Sequence, residues 1–228
     1  MNRAGQLWLE LPPPSAQAPR RLLVFLHGAG SCVEAFAPVA LAWQLKFPGA
    51  TAAILEALRE GSPRGGKDWF DARGVAADRK SRIQDASAVV ARRVEALQRA
   101  TRIDGARTVV VGFSQGATVA LEFARSHAAL ASIVVSYAGR LARPIAPDEC
   151  IAPTIHLVHG EFDSLVPAVY AQQAYRGLAA AGADVTLDIA ADEAHTIGQA
   201  MVNLGTTRVL QTLFRGRQRR VRDGSTLH

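Results

Sequence analysis

Cysteine is scarce in this chain: Cys32 and Cys150 are the two thiols in 228 residues, too few for a disulfide framework or a Cys-based zinc site. That scarcity fits a reducing cytoplasm, and no metal or other cofactor is expected. Long apolar runs are missing too, since none approaches the roughly 18 residues that would suggest a membrane-spanning helix. The N-terminal stretch MNRAGQLWLELPPPSAQAPRR lacks the continuous apolar segment of a signal peptide. The expectation is a cytoplasmic chain without a membrane span.

What is present is ample apolar material. At 49% hydrophobic the chain can bury one sizeable core, which excludes intrinsic disorder and makes one domain the default. The net charge is +6, but five Arg and one Asp in RGRQRRVRDGSTLH (215–228) supply +4, leaving +2 for residues 1–214. Clustered Arg could release counterions from phosphates, whereas chain ends are commonly frayed and solvated. The expected organisation is therefore one domain over 1–214 and a mobile Arg-rich tail over 215–228, with no nucleic-acid partner.

Short apolar runs alternate with stretches of helical period, the pattern of an α/β fold whose mostly parallel sheet is covered by helices. Strands are expected at 6–11, 22–28, 51–57, 108–112, 132–138, 154–160 and 184–190. Helices are expected at 34–45, from Ser81 with Ile83, Val90, Val94 and Leu97 on one face, and at 117–126, 168–182 and 197–214. Gly182 suits a left-handed helix terminus. The glycine-rich stretch 61–75 reads as an irregular loop of the length that often carries function.

The segment GFSQG (112–116) sits between a Val-rich strand and a helical run. A serine at a sharp strand-to-helix turn needs a strained backbone, and side chains two residues before and after it would collide. Gly112 and Gly116 remove those collisions around Ser114. Chance placement predicts only about 0.08 such matches from this composition, so the pattern points to a nucleophile elbow rather than a helix-capping serine.

A serine hydroxyl needs a base to take its proton and a carboxylate to orient that base. In the elbow architecture the acid and then the histidine follow the serine in the chain. His156 and His159 fall within a strand and His228 ends the chain, leaving His195 on a short loop after the last strand. Asp163, just beyond strand 154–160, is the first choice for the acid. Asp192, three residues before His195, is the competitor; Glu161 is weaker, and Asp184 and Asp188 lie in a strand pattern. The backbone N–H of Gln115 and that of Ala29, in the turn HGAGS (27–31), are candidates to hold an oxyanion.

With LHGAG (26–30), WFD (69–71), GFSQGA (112–117), HGEFDSLVP (159–167) and the histidine of DEAHTI (192–197), the chain resembles the carboxylesterase and acyl-protein thioesterase branch of the α/β-hydrolases. The likeness spans roughly residues 20–200 and implies an α/β-hydrolase fold without a separate lid domain. It implies Ser114, Asp163 and His195 as catalytic triad and Ala29 with Gln115 as oxyanion donors. It also implies a groove near Trp69 and Phe70, which either wall an acyl chain or anchor their loop as buried aromatics. Two departures stand out: many members have HGLGD where HGAGS stands here, and Ser164 replaces the proline of their Asp-Pro-Leu-Val-Pro.

The activity so implied is that of a serine carboxylesterase, and the lack of an insertion large enough for a lid predicts an open cleft suited to short- to medium-chain esters. An acyl-protein thioesterase or lysophospholipase uses the same machinery, and a non-catalytic hydrolase-like binding module is the rival from another class. The partner expected is a small ester, and the sequence leaves monomer and homodimer both open.

Overall fold

The structure is a computed structural model that describes residues 8–14, 18–60, 66–73, 75–146 and 148–222. Strand β1 (Trp8–Leu11) leads to β2 (Arg21–Leu26), helix α1 (Val33–Lys46) and β3 (Ala50–Leu55). A small hairpin, β4 (Arg59–Glu60) and β5 (Lys67–Asp68), precedes α2 (Arg79–Thr101). Then follow β6 (Thr108–Phe113), α3 (Gln115–Ser126), β7 (Ile133–Tyr137), β8 (Thr154–Gly160), α4 (Val169–Ala180), β9 (Val185–Ala190) and α5 (Gln199–Arg222).

The main sheet has the order β1-β3-β2-β6-β7-β8-β9. β1 pairs antiparallel to β3, and all other neighbours run parallel. Side chains alternate between two cores, as the twofold period of a strand requires. In β2, Leu22, Val24 and Leu26 pack towards Ile83 and Val90 of α2, Val119 and Phe123 of α3 and Leu178 of α4. Leu23 and Phe25 point the other way, into a cluster with Trp43 of α1 and Met201 and Val209 of α5. Burial on both faces explains why these strands read as continuous apolar runs.

The chain moves outward from β2 to β3, then returns past β2 to β6. Loops leaving β2 and β6 therefore diverge to opposite faces, which opens a crevice at the carboxyl edge of the sheet. The turn 27–31 and the Ser114 turn flank that crevice.

Two segments differ from their sequence expectations. The stretch 61–75 is less irregular than its glycines suggest, because Ser31 forms an isolated bridge with Lys67 and the hairpin is laid against the 27–31 turn. Gly66 has φ +97°, and a Cβ there would sit 2.2 Å from Gly30 O, so only glycine allows this approach. Residues 61–65 and 74 of that loop lie outside the described residues, as do 1–7. At the other end, α5 continues to Arg222 rather than stopping at Phe214. Arg and Gln are good helix formers, and a lone Gly216 does not end an established helix. The remainder of the expected tail, 223–228, lies outside the described residues.

Candidate active site

Ser114 follows β6 with φ 53° and ψ −112°, a strained conformation for a residue with a side chain. Its N–H donates to Tyr137 O of the neighbouring strand at 2.9 Å, which ties the turn to the sheet. A Cβ on Gly112 would lie 2.5 Å from Gly116 O, and one on Gly116 would lie 2.3 Å from Leu26 O. Backbone blocks both positions, so the elbow closes only with glycine there.

His195 reaches this serine from the loop after β9. Its Nε2 lies 2.9 Å from Ser114 Oγ, and its Nδ1 lies 2.7 Å from Asp163 Oδ2. The Phe113 ring packs against the imidazole at 5.0 Å between centroids. The His195 loop is fastened to the Asp163 loop by Phe162 N–H donating to Glu193 O at 2.9 Å. Asp192 adopts φ 59° in this loop and makes none of these contacts. Of the candidate acids, the structure thus brings Asp163 to His195.

Asp163 is held as an anion. Its Oδ1 accepts the N–H groups of Leu165 at 3.0 Å and Val166 at 2.8 Å. Burial opposes its charge, but the hydrogen bonds from the His195 side chain and the Val166 N–H hold its carboxyl below the usual range. His159 is a contact that strand spacing could not reveal. Its Nε2–H donates to Val166 O at 2.6 Å and lies 3.2 Å from Asp163 Oδ2. Burial pushes the His159 pKa down, so this buried imidazole braces the acid loop as a neutral donor.

The turn after β2 abuts the serine: a Cβ on Gly28 would be 3.6 Å from Ser114 Cβ. The two N–H groups after Ala29 are already engaged, Gly30 with Lys67 O at 3.1 Å and Asp68 Oδ1 at 2.8 Å, and Ser31 with Gly28 O at 3.4 Å. Ala29 itself is exposed. Gln115 opens α3, where the first four N–H groups have no intrahelical acceptor. Its side chain does something the motif did not announce. Trp69 N–H donates to Gln115 Oε1 at 2.6 Å, and Gln115 Nε2 donates to Phe70 O at 2.9 Å.

Trp69 and Phe70 are 1% and 3% exposed. Trp69 Nε1–H donates to His27 O at 2.8 Å, and both rings belong to the core beneath the crevice. Of the two expectations for this pair, the packing favours the loop anchor: as placed, the rings fix the hairpin rather than present a wall to an acyl chain. Exposed apolar side chains stand elsewhere on this edge, including Phe162, Leu165, Val169 and Tyr170. A concavity of about 820 Å³, lined by Arg20, Lys46, Phe47, Arg107 and Phe214 among others, opens at the opposite edge and holds none of the three hydrogen-bonded side chains. Among the described residues no cluster of His, Cys, Asp or Glu suits a metal ion, and no helix is long and apolar enough to cross a membrane.

A mostly parallel sheet between helical layers, with a strained serine after β6 and a histidine after the last strand, is the α/β-hydrolase fold. The model of the phospholipase/carboxylesterase family matches residues 13–207, and the chain belongs to that family. It is similar to the esterase YpfH of Escherichia coli (strain K12), 29% identical over 195 residues that cover 85% of this chain and 84% of the relative. Among solved structures, esterase PE8 superposes with a TM-score of 0.78 at 28% identity, covering 89% of this chain and 97% of that one. A carboxylesterase from Mesorhizobium loti shares the fold, with a TM-score of 0.74 at 17% identity over 84% and 88% of the two chains. The protein is an enzyme of the serine hydrolase kind, and its family supports esterase activity.

Proposed function

We propose that the protein is a serine carboxylesterase that hydrolyses short- to medium-chain esters through an acyl-enzyme. The observation that carries this reading is the relay from Ser114 Oγ through His195 to Asp163, with separations of 2.9 and 2.7 Å. His195 Nε2 takes the Ser114 proton as Oγ attacks the ester carbonyl, while the Asp163 carboxylate stabilises the imidazolium. The tetrahedral oxyanion faces the N–H groups of Ala29 and Gln115, the second aided by the α3 N-terminus. Collapse breaks the C–O bond, His195 returns the proton to the leaving alcohol, and water then repeats the sequence to release the acid.

Exposed apolar side chains near the acid loop, with Leu165 74% and Phe162 61% exposed, favour an open crevice over a buried tunnel. That supports small and medium acyl groups. The same openness supports the second reading, an acyl-protein thioesterase or lysophospholipase, whose larger substrates need access. Cys32 and Cys150 are both unpaired, which supports work in the cytoplasm.

The test is hydrolysis of p-nitrophenyl esters from acetate to palmitate by wild type and Ser114→Ala, with labelling by a fluorophosphonate. Wild type should favour short chains and be labelled. Ser114→Ala should lose about 10⁴- to 10⁶-fold in kcat and all labelling. A variant retaining activity within tenfold of wild type would sink the assignment. Comparing kcat/KM on acyl thioesters and lysophospholipids separates the two substrate readings.

A further inference from the structure

The carboxyl edge of the sheet carries guanidinium groups that acyl transfer does not use. Arg79 is the first residue of α2, and Arg82 follows within the first turn. Arg140 comes three residues after Tyr137, whose carbonyl accepts the Ser114 N–H. The Arg79 guanidinium lies 5.6 Å from the centre of the Phe70 ring, and Phe70 O accepts the Gln115 side chain. The Arg140 guanidinium lies 5.5 Å from the centre of the Tyr170 ring, in the first turn of α4 just beyond the Asp163 loop. Each cation is therefore one step removed from the backbone that holds the serine elbow or its acid, on the side of the crevice formed by α2 and α4.

These charges conflict with their local setting. A helix N-terminus favours anions, yet α2 opens on Arg79, Lys80 and Arg82 with no acid in its first turn. Asp78 precedes the helix without a side-chain capping bond, and Asp85 lies further along it. Among the described residues no ion pair involves Arg79, Arg82 or Arg140. The Nε atoms of Arg79 and Arg82 are buried without a hydrogen-bond partner, although Arg82 Nη2 donates to Val75 O at 3.0 Å. Burial, followed by the charges of Arg140 and Arg82, pulls the Arg79 pKa down, while Tyr170 acts the other way. Local rules broken together at a crevice point to a group supplied from outside. Val75, Val169 and Tyr170 are exposed near these arginines, adding apolar surface to the same rim.

We propose that Arg79 and Arg140 select esters that carry a negatively charged oxyacid group, a carboxylate or a phosphate, placed against α2 and α4 while the ester carbonyl lies at Ser114. The guanidinium fork matches both anions in geometry, and either would relieve the repulsion among the arginines. Arg82 adds field to this subsite. This inference rests on the esterase reading above and names the substrate class of the same site.

The experiment measures kcat/KM in matched pairs. The carboxylate arm sets p-nitrophenyl monoesters of succinic, glutaric and adipic acid against their methyl-capped neutral counterparts. The phosphate arm sets a 1-acylglycerol 3-phosphate against the 1-acylglycerol with the same acyl chain. Wild type should prefer the anionic member of at least one arm by about tenfold or more at low salt, and about 0.5 M salt should shrink that ratio towards one. The arm that shows the preference identifies the anion. Arg79→Gln/Arg140→Gln should cut the ratio about tenfold, and Arg79→Lys/Arg140→Lys should keep part of it. If the double Gln variant does not fold by circular dichroism, Arg140→Gln alone and the wild-type salt series decide. Ratios of one or less in both arms, or a preference indifferent to salt and to these substitutions, would overturn the proposal. Turnover of p-nitrophenyl butyrate that depends on Ser114 keeps the esterase reading standing in that event. A folded chain that hydrolyses no ester overturns both.

Discussion

Replacing Asp163 with Asn tests the relay at its buried end. The side chain of Asp163 is fully buried, and its two oxygens do different work: Oδ1 accepts two loop N–H groups and Oδ2 accepts from His195. An asparagine that keeps its oxygen on Leu165 and Val166 must turn its NH₂ towards His195 Nδ1. Two donors cannot face each other, so His195 shifts its proton to Nε2 and meets Ser114 with the wrong tautomer. The variant also loses the charge that stabilises the imidazolium. At a separation of 2.7 Å and an effective dielectric of about 20, that attraction is on the order of 6 kcal/mol. At 1.36 kcal/mol per tenfold this is roughly 10⁴-fold in rate, and the same Asp-to-Asn change in a chymotrypsin-type triad also costs about 10⁴-fold.

The assay is kcat on p-nitrophenyl butyrate beside a thermal melt, so that lost chemistry is separated from lost fold. Asp163→Asn should fall about 10⁴-fold in kcat with its melt still cooperative. Asp192→Asn is the matched control, because Asp192 has φ 59° and asparagine tolerates that conformation. It should stay within about twofold of wild type. If Asp163→Asn keeps more than about a tenth of the wild-type kcat, or Asp192→Asn falls as far, the assignment of the acid is wrong.

Three further substitutions probe the scaffold. Gly116→Ala places a methyl 2.3 Å from Leu26 O and 2.5 Å from His27 O, so urea unfolding should show a loss of about 3 kcal/mol or no soluble protein; wild-type stability would refute the close approach. The Arg125 side chain is fully buried, pairs with Glu149 at 2.5 Å and donates to Arg143 O and Pro144 O; Arg125→Ala should lose about 3–5 kcal/mol in the same assay, and a loss below about 1 would contradict a buried pair. His156 is enclosed with Thr186 and Thr212, and burial lowers its pKa to about 4. The unfolded chain binds that proton near pH 6.5 and the native chain only near 4, so stability should fall as pH drops through this window and level off below it. Unfolding free energies of wild type and His156→Gln between pH 7 and 4.5 check this: the variant should show the shallower slope, and equal slopes would refute it.

How far the letters carry the fold and the site follows from the range of each interaction. Strands and helices are legible because burial on two faces writes apolar runs and the helical period writes stripes such as Ile83, Val90, Val94 and Leu97. The elbow is legible because its constraint is local, two glycines against one serine. Asp163 and Asp192 can be ranked by position, but only the structure shows which loop meets His195, since that contact spans 32 residues. The burial of Trp69 and Phe70, the Gln115 clamp and the brace from His159 depend on loops meeting across the sheet. No spacing records such meetings. The extension of α5 to Arg222 runs against the expected tail because charge suggests solvation, while helix propensity is indifferent to it.

Backbone strain supplies the last link between fold and chemistry. Four non-glycine residues among those described have positive φ: Arg102, Ser114, Ala138 and Asp192. Arg102 ends α2 in the left-handed conformation common at helix termini. The other three follow β6, β7 and β9, all at the carboxyl edge. Each is tied to a strand or loop of the site: Ser114 N–H to Tyr137 O, Ala138 N–H to Val158 O, and the Asp192 loop to Phe162 N–H through Glu193 O. Such conformations cost about 1–3 kcal/mol apiece and persist only where the surroundings over-determine them. Seven paired strands and two apolar cores provide that surplus. The serine is presented above the sheet because the fold can hold it in a conformation that the residue alone would leave.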